Sequence, residues 1–97
     1  MRWIVLFDDE PEMMAHRAQY KQQHIDYVRR HQDEILVGGG LKQSEESDFV
    51  GGLWVTDVAD KERLVHLVEN DPYFHPQYRR YRVLKWGKVL EDRLVTI

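Results

Sequence analysis

An α+β sandwich of order β-α-β-β-α-β is the fold class this sequence predicts, and three observations predict it. Short runs rich in branched and aromatic residues alternate with two stretches of helical character. The first helical stretch, from Glu12 to about Gln32, contains neither Gly nor Pro. The length of 97 residues suits one two-layer core and no second domain, so residues 1–97 are taken as a single unit. That element order in about a hundred residues points to a ferredoxin-like arrangement, an antiparallel sheet with both helices on one face.

Each element has its own warrant. Trp3 to Phe7 is an apolar run closed by Asp8-Asp9-Glu10-Pro11, a buried strand followed by a turn. The long helix follows, with Met14, Ala18, Ile25 and Val28 forming its apolar arc. Ile35-Leu36-Val37 reads as a second strand, ended by Gly38-Gly39-Gly40 where the backbone turns or another group approaches closely. Lys42 to Asp48 is a polar loop. Phe49 to Val58 supplies a third strand, with Gly51-Gly52 marking a bulge. Asp60 is an N-cap for a helix whose Leu64, Leu67 and Val68 recur at core-facing spacing, and Asp71-Pro72 ends it. Tyr78 to Trp86 is a long strand, and Val89 to Ile97 adds a terminal strand or arm.

Composition narrows the function classes. Lys plus Arg is 14 against 17 Asp plus Glu, a net charge of −3 that argues against nucleic acid as a partner. Cysteine is absent, which removes thiolate nucleophiles, dithiol redox chemistry and thiolate metal sites. No apolar run reaches membrane-spanning length, and the start of the chain turns acidic at Asp8, so a cytoplasmic protein without membrane contact is expected. One face of a four-stranded sheet would stay uncovered with both helices on the other, and burial against a second copy of the chain is expected: a homodimer.

Chemistry concentrates on two places. On a wheel of 100° per residue, His16, Tyr20, His24, Tyr27 and His31 fall within an arc of about 80° beside the apolar arc of the first helix. Such rings either form a half-buried boundary with wet polar tips or rim a pocket. His24 lies nearest the core arc and is the ring placed to enter a cleft. Asp71 stands where the second helix ends, at the negative pole of its dipole, so it either closes a local turn or has a positive partner. Side-by-side helices would let a histidine on the first face the end of the second, and a carboxylate on one imidazole nitrogen raises basicity at the other.

Other motifs fail. Gly38 and Gly40 begin a GxGxxG that Gln43 breaks, HExxH is missing, and Ser44 and Ser47 lack a nucleophile elbow. Scattered His16, His24 and His75 argue against a metal site, and no cofactor is expected. Arg79-Arg80-Tyr81-Arg82 reads as a solvated strand face in preference to an anion clamp.

Taken together, Arg17 and His24 on the first helix, Gly38-Gly39-Gly40, Gly51-Gly52, Asn70-Asp71-Pro72-Tyr73-Phe74 and Leu84-Lys85-Trp86 resemble the YciI-like (YCII-related) family of the dimeric α+β barrel superfamily. Leu41 stands where that pattern often has Pro. The resemblance implies a ferredoxin-like subunit pairing through its sheet into a barrel, and it implies that His24 and Asp71 correspond to the family's His–Asp pair. Characterised relatives include a dehydrochlorinase. The expected function is cofactor-independent proton transfer on a small cyclic or aromatic oxygenated substrate, an elimination, isomerisation or dehydrohalogenation. His24 would act as acid or base and Asp71 would orient it. Tyr20, Tyr27, Gly38 and Gly39 would bind substrate, with Trp3, Phe7 and Trp54 as apolar walls. The competing expectation is a non-catalytic dimeric module that uses the same pocket to hold a small ligand, or supports a partner protein; a metal-free monooxygenase ranks third.

Overall fold

Aspartates normally leave strands, yet here Asp8 and Asp9 extend the first one. In the computed structural model, which describes residues 1–97, β1 spans Arg2–Asp9 because Asp8 and Asp9 pair across the sheet with Arg80 and Arg79. Helix α1 (Met13–Arg30), β2 (Ile35–Lys42), β3 (Phe49–Asp57), α2 (Lys61–Glu69) and β4 (Arg79–Lys85) follow. The sheet runs β2-β3-β1-β4 with every neighbouring pair antiparallel, which is the ferredoxin-like β-α-β-β-α-β order read from the sequence.

Period-two alternation sorts the strands into two faces. Val5, Phe7, Trp54 and Thr56 are buried on the face that meets α1 and α2. From the helices, Tyr27, Leu64, Leu67 and Val68 complete that core. Helix α2 is positioned at its start by Asp60, whose carboxylate accepts the Arg63 backbone N–H at 2.8 Å. The opposite face carries Ile4, Leu6, Leu53 and Val55, half-buried, beside exposed Val37, Leu41 and Leu84. No helix is long and apolar enough to cross a membrane.

Four local expectations are corrected. Gly38, Gly39 and Gly40 do not end β2; the strand runs through them to Lys42, because Trp54 and Phe49 of β3 lie over Gly38 and Gly40 where side chains would stand. Gly51-Gly52 is no bulge against β1, with which it stays in unbroken register; the β2–β3 ladder slips instead at Leu36 and between Leu41 and Lys42. Helix α1 is kinked at Tyr20 (φ −111°, ψ 16°), so its buried residues are Met13 and Tyr27, while Ala18 is exposed. Residues Val89 to Ile97 form no strand, and Val89, Leu94 and Ile97 are exposed.

Candidate functional site

Three glycines form the floor of a site. Gly38, Gly40 and Gly52 occupy helix-facing positions on adjacent strands, in register with Trp54 and with one another. Trp54 and Phe49 lie across Gly38 and Gly40, and beside this floor a cavity of about 380 Å³ opens between β2, β3 and α1, a volume suited to a small organic molecule. Phe7, Trp54 and Ile35 supply apolar wall, Gly38, Gly39 and Gly40 supply bare backbone, and Arg17, His24, Tyr73 and Arg79 supply polar groups. Arg29 and Gln32, both exposed, stand at the mouth.

His24 reaches the end of α2. Its Nδ1–H donates to Asp71 Oδ1 at 2.8 Å, and the Asp71 side chain is only 2% exposed, so the pair is shielded from water on the carboxylate side. Asp71 Oδ1 also accepts the Tyr73 backbone N–H at 3.0 Å. These two donors offset the unfavourable position of a carboxylate beyond a helix C-terminus. As an acceptor, the Asp71 carboxylate places the proton of neutral His24 on Nδ1, which leaves the Nε2 lone pair with no protein partner. Tyr73 stacks on the His24 ring at 3.8 Å and 5°, holding its orientation from the face. Burial raises the Tyr73 hydroxyl above its usual range, against the opposing charge of Arg17.

A second polar group lies deeper. The Asp9 side chain is fully buried and accepts from Arg79 Nε at 2.7 Å, from Arg79 Nη2 at 3.0 Å and from Arg17 Nη2 at 3.2 Å. Arg17 Nη2 also donates to the Gly51 carbonyl at 2.8 Å. The Arg17 guanidinium stands over Phe49 at 4.5 Å and over Tyr73 at 5.2 Å, and Arg79 stands over Phe7 at 4.3 Å.

The structure therefore brings together His24, Asp71, Gly38 and Gly39, and leaves both tyrosines of the first helix outside. The Tyr27 hydroxyl donates to the Leu67 carbonyl at 2.7 Å inside the core, and burial followed by the Asp71 charge pushes it up to about 12. Tyr20 packs against His16 at 4.7 Å and does not line the cavity. The kink at Tyr20 breaks the uniform 100° phase on which the wheel relied. Trp3 packs against the core, whereas Phe7 and Trp54 do form cavity wall. Arg79 is the residue the sequence reading missed: it is buried, not solvated. The signal was alternation, since Arg80 and Arg82 point to the other face and are exposed. No three His, Asp or Glu side chains converge as a metal site would require.

The class these features define is a two-layer α+β domain with a glycine-floored cavity and a His–Asp pair on its helical side. The YCII-related domain model matches residues 1–87, and the chain belongs to that family. No curated protein matches it significantly. Among solved structures it is similar to 5-chloro-2-hydroxyhydroquinone dehydrochlorinase (TftG) from Burkholderia phenoliruptrix AC1100, in complex with 2,5-dihydroxybenzoquinone. The TM-score is 0.76 at 21% identity, over 90% of this chain and 94% of that one. At that identity the likeness establishes the shared fold.

Proposed function

We propose that the chain is an enzyme of cofactor-independent proton transfer, acting on a small cyclic or aromatic oxygenated substrate, with His24 as general base and Asp71 as its orienting partner. One observation carries this reading: the His24–Asp71 hydrogen bond of 2.8 Å at the wall of a cavity, with Nε2 unpartnered. A buried carboxylate on Nδ1 stabilises the imidazolium that forms when Nε2 takes a proton. In the reaction, Nε2 removes a proton from carbon beside a carbonyl, and the C–H electron pair moves into an enolate. Departure of a neighbouring leaving group such as chloride, with its bonding pair, completes an elimination; return of the proton elsewhere completes an isomerisation. Gly38 and Gly39 let the substrate lie against the backbone of the edge strand. The dehydrochlorinase likeness supports the elimination branch.

The test is chloride release from chlorinated hydroxyhydroquinones, together with isomerisation assays on unsaturated cyclic lactones. His24→Ala is expected to lower kcat by about 10²–10⁴. Unchanged turnover in His24→Ala overturns the reading. Saturable thermal stabilisation by every compound with no product formed supports the binding module instead.

We also propose self-association through the sheet face that carries Ile4, Leu6, Leu53 and Val55. These residues, with exposed Val37, Leu41 and Leu84, are cross-strand neighbours on one sheet face and form a continuous apolar surface of the kind that marks an interaction site. Sedimentation equilibrium at micromolar concentration is expected to return twice the chain mass of 11.7 kDa. The single-chain mass there contradicts the dimer.

A further inference from the structure

The residues lining the cavity have an uneven charge. Arg17, Arg29, Arg79 and His24 line it, and no Asp or Glu does, although the chain as a whole carries a net charge of −3. Behind the wall, Asp9 is the one carboxylate shared by Arg17 and Arg79. Asp71, the other buried carboxylate near the site, is directed at His24 and the Tyr73 backbone N–H, so at the Arg17–Arg79 end two guanidinium groups share one carboxylate, and a locally positive wall favours an anionic ligand.

Arg17 is also short of acceptors. Its Nη2 donates to Asp9 and the Gly51 carbonyl, the guanidinium also lies against the Tyr73 hydroxyl, and Nε is buried without any hydrogen bond. Arg79 uses Nε and Nη2 on Asp9 and leaves Nη1 free. A buried donor without a partner is destabilising, so unspent donors at a cavity wall mark where a ligand's acceptors belong. Tyr73 spans the distance to the proposed base: its ring is stacked on His24 at 3.8 Å and lies 5.2 Å from Arg17 Cζ. One small flat molecule can therefore touch the Arg17 end and the His24 end at once.

We propose that the substrate of this site is a planar organic anion, a small unsaturated ring bearing a delocalised oxyanion, with its charged oxygens on Arg17 and the free Nη1 of Arg79 and its reacting carbon beside His24. The inference rests on the proton-transfer reading for where the reacting carbon lies, and on the guanidinium geometry alone for the charge. The carboxylate and the ionised enol share the needed chemistry, a flat anionic oxygen pair that a guanidinium binds side-on. Arg17 lies against the Phe49 and Tyr73 rings and is tied by Nη2 to Asp9 and the Gly51 carbonyl, so its donors are presented in a fixed place at little further loss of freedom. The same anchor fixes the ring in one orientation against Trp54, which positions a single C–H before Nε2.

The probe pair is benzoate and its neutral near-isostere benzamide, titrated into the full chain while the amide signals of Gly38, Gly39 and Gly40 and the Trp54 indole signal are followed by NMR. Benzoate is expected to perturb those signals and to bind at least about tenfold more tightly than benzamide, because both accept from a guanidinium but only the carboxylate brings the opposite charge and a second acceptor oxygen in place of an NH2. In Arg17→Met the ratio is expected to fall towards one, while His24→Asn keeps it. Benzoate that leaves the glycine signals unmoved, or binds no better than benzamide, overturns the inference, and this comparison needs only the unaltered protein should Arg17→Met fail to fold. A preference undiminished in folded Arg17→Met also overturns it. Absence of an anion preference, with turnover lost in His24→Ala, refutes this inference alone. An anion preference with turnover retained in His24→Ala refutes the proton-transfer reading alone.

Discussion

Replacing Asp9 by Asn removes the negative charge that two arginines share and leaves the side chain nearly the same size. The Asp9 carboxylate is fully buried, takes two bonds from Arg79 at 2.7 and 3.0 Å, and takes a third from Arg17 at 3.2 Å. An amide can accept at one position only, and its NH2 must meet an arginine N–H at the other, donor against donor. Arg79, whose side chain is 3% exposed, then keeps a positive charge with no neutralising partner. Breaking a buried pair in this way costs about 3–5 kcal/mol. Small domains have only about 5–15 kcal/mol in total, so Asp9→Asn is expected to remove about a fifth or more of the stability. In thermal unfolding that is a fall of about 12 °C or more. Urea denaturation with an unchanged m-value gives the free energy directly, and the Asp9→Asn/Arg79→Met cycle isolates the coupling. A loss below about 1 kcal/mol would show that the pair is not the buried anchor of the cavity floor, and would refute the charge accounting built on it.

Two further outcomes follow from the core and the sheet. The Tyr27 hydroxyl is held at about 12 by burial, against 10.0 for a free phenol, so between those pH values the unfolded chain releases a proton that the folded chain keeps. Stability is therefore full below pH 10, falls through the window and levels above it, by up to about 3 kcal/mol from this residue. Tyr27→Phe removes that share of the alkaline decline, while Tyr81, also raised to about 12 by burial and by its bond to Glu69, keeps its own; urea midpoints across the range check this. At Gly51 a Cβ would overlap the Phe7 carbonyl oxygen, so Gly51→Ala must part β3 from β1 and is expected to cost about 3 kcal/mol. At Gly39 a Cβ meets nothing within 4 Å, and Gly39→Ala is expected to be neutral or to gain up to about 1 kcal/mol by the same assay.

Local chemistry made part of this legible from sequence. The α2 stripe of Leu64, Leu67 and Val68 and the Asp60 cap need only near neighbours, and both stand where their spacing places them. His24 and Asp71 were legible for a different reason: each was anomalous for its position, a ring next to a core stripe and a carboxylate past a helix end. The arginine–aspartate floor was not legible, because Asp9 and Arg79 are 70 residues apart and each has a bland local reading, a turn acid and a surface cation. The glycines misled for a related reason. Gly38 and Gly40 look like punctuation until Trp54 and Phe49, from another strand, are laid across them. The wheel failed at Tyr20 because a kink with neither Gly nor Pro nearby leaves no mark in composition.

The central claim is that Asp71 holds the proton of His24 on Nδ1 and leaves Nε2 as the base. Long-range ¹H–¹⁵N NMR of the histidine rings, at a pH where His24 is neutral, reports which nitrogen carries the proton. The expected result is an Nδ1–H tautomer in the unaltered chain, with Asp71→Asn losing that bias. An Nε2–H tautomer for His24, or a spectrum indifferent to Asp71→Asn, contradicts the account.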